Sequence, residues 1–130
     1  MSVFSKNNVI DTFEGTFRER VALPDGLEDL WFDIALGQLE MELGEIEYND
    51  DGSFGENVPR AIINALAYMM KVLYCEREVS RVNKINNIIT KDVSLNGNGD
   101  TKKYAAEEHA QAIQKAAETI NKLKTSWYEN

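Results

Sequence analysis

Side chains that could carry covalent or acid–base chemistry are scarce in this sequence. Its 130 residues include one histidine, His109, and one cysteine, Cys75. An activated nucleophile needs a base within hydrogen-bond reach, and neither residue has a second histidine or cysteine to pair with. Cys75 lies in an apolar run and His109 on the seam of an alanine-rich helix, which favours packing roles, and a lone cysteine suits a reducing compartment. We therefore expect a protein that is not an enzyme.

Two glycine-bearing loops contain acidic and amide side chains that could bind calcium. Such a loop carries glycine at its sixth position and a bidentate glutamate at its twelfth. Counting from Gly52, the twelfth position is Val58, and counting from Gly97 it is Lys103. Both loops fail the test, so the sequence predicts no metal and no cofactor.

A basic stripe lies near the middle of the chain, where Arg77, Arg81 and Lys84 are spaced by four and three residues. On a helix this spacing puts all three side chains on one face, where they could bind a carboxylate surface of another molecule. The alternative is a solvated face whose charges pair locally with Glu76 and Glu78.

Carboxylates are concentrated in residues 24–57, which carry eleven acidic residues, half of the total of 22, and no Lys or Arg. The net charge of −8 for the whole chain is therefore regional, since the segments on either side are balanced or slightly positive. The negative electrostatic field of this region repels nucleic acid and favours binding to basic surfaces of other proteins. We expect Asp33 and Glu40 of this block to contribute to an interface with a partner.

The elements that would position these residues are helical. Asp25 and Glu28 have capping-box spacing, and a helix is predicted over about 26–46 with one apolar face and one acidic face. The predicted apolar face consists of Leu27, Leu30, Trp31, Ile34, Ala35, Leu39, Leu43 and Ile46. Pro59 suits the first turn of a long central helix over about 58–86, apolar nearly all round in its first half.

The C-terminal part is predicted to hold one more helix, over about 101–128. Its seam for packing against one partner helix is His109, Ile113, Ala116, Ile120, Leu123 and Trp127. Residues 88–100 are rich in β-branched and loop-forming side chains, which predicts an extended arm or small β-hairpin before this helix. Residues 1–22 are predicted to be a flexible or partly helical N-terminal arm.

These elements predict one all-α domain spanning residues 1–130, a small helical bundle with a long central helix. The N-terminus has no apolar stretch suited to a signal peptide, and the longest apolar run, 61–75, is interrupted by Asn64 and Lys71. We expect a soluble protein with no membrane partner. Trp127 and Tyr128 are costly to expose, so they either dock on a partner or, for Trp127, pack back on the last helix.

The stretch from Ala65 to Asp100 resembles the head-tail connector, or head-completion adaptor, proteins of long-tailed bacteriophages. The similarity lies in a central helix ending in Arg77-Glu-Val-Ser-Arg81, then an arm, a glycine-containing turn and a C-terminal helix. Upstream, residues 23–40 look like the first core helix of that family. The likeness covers about 23–125, and residues 1–22 fall outside it.

The resemblance implies a structural, non-enzymatic subunit of a dodecameric ring that joins the portal to the tail and extends the DNA channel. The partners implied are other copies of the chain, the portal protein and a tail-side connector or tail terminator protein, with DNA as passing cargo. The arm, with Ile89, Val93 and Leu95, would contact an adjacent subunit or ring, and the segment near Trp127 would dock on the portal. The location implied is the virion neck, after assembly in the host cytoplasm.

An alternative from another class is an acidic inhibitor that mimics DNA, or another small phage-encoded module that binds proteins. Its motivation is the block of carboxylates in residues 24–57, which contains no Lys or Arg. Such mimics need carboxylates spread over an extended surface at phosphate-like spacing, whereas residues 58–130 are net positive.

Overall fold

The computed structural model describes residues 4–17, 22–92 and 98–128, with side chains for 4–17, 22–81 and 103–125. Four α-helices account for most of this part of the chain. In chain order they are α1 Lys6–Glu14, α2 Leu27–Leu43, α3 Arg60–Asp92 and α4 Asn98–Tyr128. The prediction of an all-α bundle with a long central helix is confirmed. Within the described ranges, no helix has the length and hydropathy needed to cross a bilayer.

Helix α3 is the centre of the bundle and contacts each of the other three helices. Its first half is covered on nearly all sides, as predicted, because Ile62, Leu66 and Met70 are completely buried and Ala65 and Ala67 beside them are buried too. The resulting core takes residues from all four helices and from the loop between α2 and α3.

Helix α1 covers one end of this core. Val9 and Phe13, four residues apart, are fully buried. Phe13 meets Trp31 of α2 and Tyr74 of α3 edge to face, with ring centroids 6.0 and 6.5 Å away, and Phe17 meets Tyr74 at 4.7 Å. The segment predicted to be a partly helical arm thus supplies a helix to the core over Lys6–Glu14.

Helix α2 begins one residue after the predicted start and ends three residues before the predicted end, and its N-terminal cap differs from the prediction. The residue that precedes the helix is Gly26, with φ of 82° and no side-chain cap, so the predicted capping box of Asp25 and Glu28 is wrong. A left-handed backbone at that position suits glycine. Gly44, with φ of 94°, ends the helix three residues before the predicted boundary.

The connection between α2 and α3 contains the extended pairing that the structure describes. Isolated β-bridges join Tyr48 to Phe54 and Ser5 to Ser53. The Asp51 carboxylate accepts hydrogen bonds from the Ser53 N–H at 2.9 Å and from its hydroxyl at 2.6 Å, which fixes the turn. Phe54 is fully buried and anchors the loop to the core.

The extended arm or hairpin predicted for residues 88–100 is wrong wherever the backbone is described. Residues 88–92 continue α3 and residues 98–100 begin α4, while 93–97 lie outside the described residues. β-Branched residues such as Ile88 and Ile89 are only slightly unfavourable in a helix, and extending an existing helix avoids the cost of a new nucleus. The local pattern was therefore overridden by the long helix before it.

Helix α4 packs on α3 with a seam shifted from the predicted one. Ala112, Ala116 and Leu123 are buried, whereas Ile113 is 46% exposed. His109 and Ile120 are partly buried at the margin of the seam. The buried residues are spaced by four and seven, so the predicted helical period of the seam is confirmed. The prediction that Ile113 belongs to the seam is wrong.

Candidate interaction surface

Helix α2 holds the candidate surface because both of its faces carry large apolar side chains. Its inner face packs on the core through Trp31, Phe32, Ala35, Leu39 and Leu43, all buried. Leu30 and Ile34 were predicted to lie on this same face. They instead point away from the core, 53% and 37% exposed.

These two residues belong to a continuous exposed stripe along α2, which we call the outer row: Leu30, Ile34, Gly37 and Met41. The spacings of four, three and four place all of them on one side of the helix, in the heptad pattern of a packing seam. Met41 is 87% exposed and Gly37 is exposed as well. In the described part of the chain, each large side chain of this seam stays at least one-third exposed.

Three carboxylates lie on the side of the helix next to the outer row. We call these residues, Asp29, Asp33 and Glu40, the acidic row. Asp29 pairs with the Lys6 ammonium at 2.8 Å. The hydrogen bond to Asp29 raises the pKa of Lys6, although partial burial opposes it. Asp33 is exposed and lies near enough to Lys6 to raise that pKa further.

Glu40, at the far end of the acidic row, has a structural contact. Its Oε2 accepts a hydrogen bond from the backbone N–H of Ile46 at 3.2 Å, which ties the end of α2 to the following loop. Of the two carboxylates predicted to form an interface, Asp33 is therefore exposed for binding, whereas one oxygen of Glu40 is already engaged.

Several other carboxylates of the acidic block also interact within the chain. Glu42 pairs with Lys124 of α4, and Asp51 caps the turn at Ser53, which lowers the pKa of Asp51. Burial, followed by the negative charge of Glu14, raises the pKa of Glu28. A surface that mimics the phosphates of DNA needs free, evenly spaced carboxylates, so this arrangement gives the DNA-mimic alternative little support.

The basic stripe pairs locally in the described part of α3. Arg81 Nη2 lies 2.8 Å from Glu78 Oε2, and Arg77 Nη1 lies 3.8 Å from Glu78 Oε1. Both arginines are exposed. The local-pairing alternative therefore describes Arg77 and Arg81, although exposed pairs of this kind are weak and exchange readily for other partners.

The remaining predicted interface side chains lie outside the described ones. These are Lys84, Ile89, Val93, Leu95, Trp127 and Tyr128. The backbones of Lys84 and Ile89 are helical in α3, and those of Trp127 and Tyr128 are helical in α4. The structure thus brings together Asp33 and Glu40 on α2, and Arg77 and Arg81 on α3, as two separate groups.

The two residues with reactive side chains are placed for packing. Cys75 is buried, and burial raises the pKa of its thiol to about 11, so it is protonated at neutral pH and a poor nucleophile. His109 Nε2 lies 3.7 Å from Glu76 Oε1 across the contact of α4 with α3. Among the described residues, no group of three or more His, Cys, Asp or Glu side chains could hold a metal ion.

Two open cavities accompany these features. One, of about 270 Å³, lies where α3 meets α4, with Tyr68, Lys71, Glu108 and Lys115 in its wall. The Lys71 ammonium lies 3.5 Å from the centroid of the Phe17 ring, and burial lowers its pKa. The other, of about 450 Å³, is lined by polar residues of the loop after α2.

Sequence reasoning missed the outer row because it assigned every apolar residue of α2 to one face. Leu30 and Trp31 are consecutive, as are Ile34 and Ala35, and consecutive helical residues diverge by about 100°. Two stripes of spacing four and three were therefore present in the sequence. The signal was the excessive width of the apolar arc, together with Gly37 inside a predicted helix.

Comparison with family models, with curated proteins and with solved structures gives no match for this chain.

Proposed function

We propose that this protein is a structural subunit of a ring in the head-tail connector of a long-tailed phage, joining the portal to the tail around the DNA channel. The resemblance of residues 65–100 and 23–40 to connector proteins is the source of the proposal. Its location would be the virion neck, after assembly in the host cytoplasm. The bundle itself is compatible with many functions, so the support has to come from its surface.

The observation that supports the proposal is the outer face of α2. Monomeric proteins in water rarely leave several large apolar side chains in a continuous row beside charged residues, and such patches commonly bind other proteins. Leu30, Ile34 and Met41 form a row of this kind, and the acidic row lies next to it. A subunit that functions by assembly needs such a surface.

The length of α3 is a second support. Its 33 residues correspond to about 50 Å, which exceeds the width of a small domain. Among the described side chains of α3, residues 60–81, the buried ones lie between Ile62 and Cys75. A helix of this length can reach a neighbouring subunit or an adjacent ring.

The distribution of charge is compatible with a ring of identical subunits. Head-to-tail contacts join two different patches of the same chain, and the acidic row on α2 and the arginines on α3 are such a pair. Arg77 and Arg81 would exchange Glu78 for the acidic row of the next subunit. Carboxylates that make no contact between subunits would repel DNA phosphates. DNA could then slide through the channel without binding to its wall.

The test is the assembly state of the full chain, alone and mixed with a portal protein encoded beside it. Light scattering and native mass spectrometry should give a particle of many subunits, and negative-stain images should show rings. A strictly monomeric particle under both conditions would contradict the proposal.

A charge-reversal pair tests the head-to-tail contact separately. R77E together with R81E should weaken the ring if these side chains meet the acidic row. The matched control is K103E with K122E, because both lysines are exposed on α4 and the change in net charge is the same. Equal assembly of the two double variants would exclude the contact while leaving the ring itself intact.

A further inference from the structure

We propose that the outer row of α2 is a docking site for one amphipathic helix of another protein, whose apolar seam is flanked by Lys or Arg. The site would accommodate about three helical turns, the span from Leu30 to Met41. This inference goes beyond the connector ring, because it specifies the chemistry of a partner and holds whether or not the chain forms rings.

The shape of the outer row favours a helix as the occupant. Its spacing of four, three and four is the spacing with which one helix presents knobs and holes to another. Leu30 and Ile34 form one end of the seam, Met41 forms the other, and the acidic row follows one edge of the exposed apolar area. An amphipathic helix laid along the row would bury all three side chains at once.

Gly37 provides a second and independent observation. Glycine in the middle of an exposed helix is unfavourable compared with alanine, and a Cβ at this position would meet nothing within 4 Å. The fold of the chain itself therefore gives no reason for glycine here. A gap between Ile34 and Met41 would, however, accept a large side chain from a closely approaching partner helix.

The charges around the row define the partner further. Asp29, Asp33 and Glu40 follow one edge of the seam, and Lys6 is already paired with Asp29. A partner with Lys or Arg along the matching edge would be attracted, and its approach would be steered at low salt. Asp33, exposed beside Ile34, is the carboxylate best placed to receive such a cation.

A second copy of the chain is a poorer occupant for this seam. A symmetric contact between two copies of α2 would bring two acidic rows together, and like charges across an interface are unfavourable. A contact with α3 of another copy would bring Arg77 and Arg81 to the acidic row, as in the proposed ring, but the exposed Glu76 beside them gives the outer row no apolar partner. A foreign basic helix satisfies both the apolar and the charged part of the surface.

The experiment uses the full chain and a fluorescent helical peptide of about three heptads, with Leu at the a and d positions, Lys along one flank and Ala or Gln elsewhere. Anisotropy should show saturable binding that weakens as salt is raised. Amide resonances of α2 should shift on titration. A scrambled peptide of equal composition and a peptide with Glu in place of Lys should each bind at least about tenfold more weakly.

Three variants of the protein locate the site. I34E should weaken peptide binding by about tenfold or more, since it removes a buried contact and adds a charge. I113E is the matched control on α4, where a similarly exposed isoleucine lies outside the row, and should leave binding unchanged. G37A should raise the thermal midpoint while weakening binding, a combination that loss of folding cannot produce.

Equal weakening by I34E and I113E, or equal binding of the scrambled peptide, would overturn the site. Equal binding of the Glu peptide would overturn the basic partner. Sedimentation that shows a dimer of the unmodified chain, dissociated by I34E, would replace the foreign helix with a second copy. Peptide binding is measured by anisotropy and ring formation by light scattering, so failure of this proposal and failure of the connector proposal are distinguishable.

Discussion

Helices α2 and α4 are both attached to α3 by one face, yet their opposite faces differ. The exposed row on α4 is built of Ala106, Ala110, Ile113 and Ala117, small side chains apart from the isoleucine, with charged residues around them. This is the usual solvent face of a helix. The exposed row on α2 contains large apolar side chains around a glycine. The comparison shows that the size of the apolar side chains on the exposed face distinguishes the two helices. Small side chains on α4 suit contact with solvent, whereas the large ones on α2 suit contact with another protein.

The largest expected effect contrasts the two faces of α2 itself. F32A removes a completely buried ring that contacts Tyr48 and Phe54, and should lower the free energy of unfolding by about 3–5 kcal/mol. I34A, on the outer row, should change it by no more than about 0.5 kcal/mol. Urea unfolding measures both. A large loss from I34A would mean that the outer row stabilises the isolated fold.

The next largest effect is expected from opposite substitutions on the exposed rows of α2 and α4. G37A should raise the free energy of unfolding by about 1 kcal/mol, because alanine is the better helix former and a Cβ has open space there. A110G on α4 should lower it by about the same amount. Thermal and urea unfolding give both values. Destabilisation by G37A would show that the chain itself needs glycine at this position.

A smaller effect is expected from the ion pair of Glu42 with Lys124, which joins the two compared helices. Both side chains are partly exposed, 47% and 39%, so the pair should contribute about 0.2–1 kcal/mol. A double-mutant cycle with E42Q and K124M measures this coupling, and raising the salt concentration should reduce it. A salt-independent coupling of several kcal/mol would indicate a much closer α2–α4 contact than the side-chain exposures suggest.

The smallest effect is a dependence on pH at the start of α2. Burial and the nearby Glu14 raise the pKa of Glu28 above its ordinary value of 4.5 in the folded protein. The folded state therefore holds this proton more tightly, and the stability it contributes below pH 4.5 is lost as pH rises through the raised pKa. E28Q should be more stable than the unmodified protein at pH 7 and lose that advantage in acid.

Asp51 supplies the contrast for this measurement, because hydrogen bonds from Ser53 lower its pKa below 3.8. Its contribution to stability is present above that value and is lost as pH falls through the lowered pKa. D51N should therefore reduce stability at pH 7, opposite in sign to E28Q. Thermal midpoints recorded from pH 3 to pH 8 compare the two, and slopes of equal sign would contradict the assignment.

Much of the helical architecture could be predicted from the sequence, because hydrophobic periodicity is a local signal. The apolar run before Cys75 correctly indicated a central helix covered by its neighbours. Residues 88–92 were predicted incorrectly, because their preference for extended structure is weaker than the advantage of continuing α3. The register of the α4 seam failed at Ile113, since Ala112 and Ile113 are adjacent and only tertiary packing decides which one faces α3.

The candidate surface was predictable only in part. The carboxylates of α2 were visible in the sequence, and Asp33 is exposed as expected. The engagement of Glu40 with the Ile46 N–H depends on how the chain turns after Gly44, which composition does not reveal. The pairing of Arg77 and Arg81 with Glu78 was one of two alternatives, and rotamers rather than spacing decide between them.

The attachment of the N-terminal segment has a consequence for the order in which the chain folds during synthesis. The Phe4 carbonyl accepts a hydrogen bond from the Phe54 N–H at 2.9 Å, and the Lys6 N–H donates to the Gly52 carbonyl at 2.8 Å. Helix α1, the first of the four described helices to be synthesised, therefore cannot complete its contacts until residues 52–54 have followed it. Tyr74, which closes the aromatic cluster around Phe13, emerges later still. Residues 4–17 can therefore reach their final environment only after much of α3 has been made.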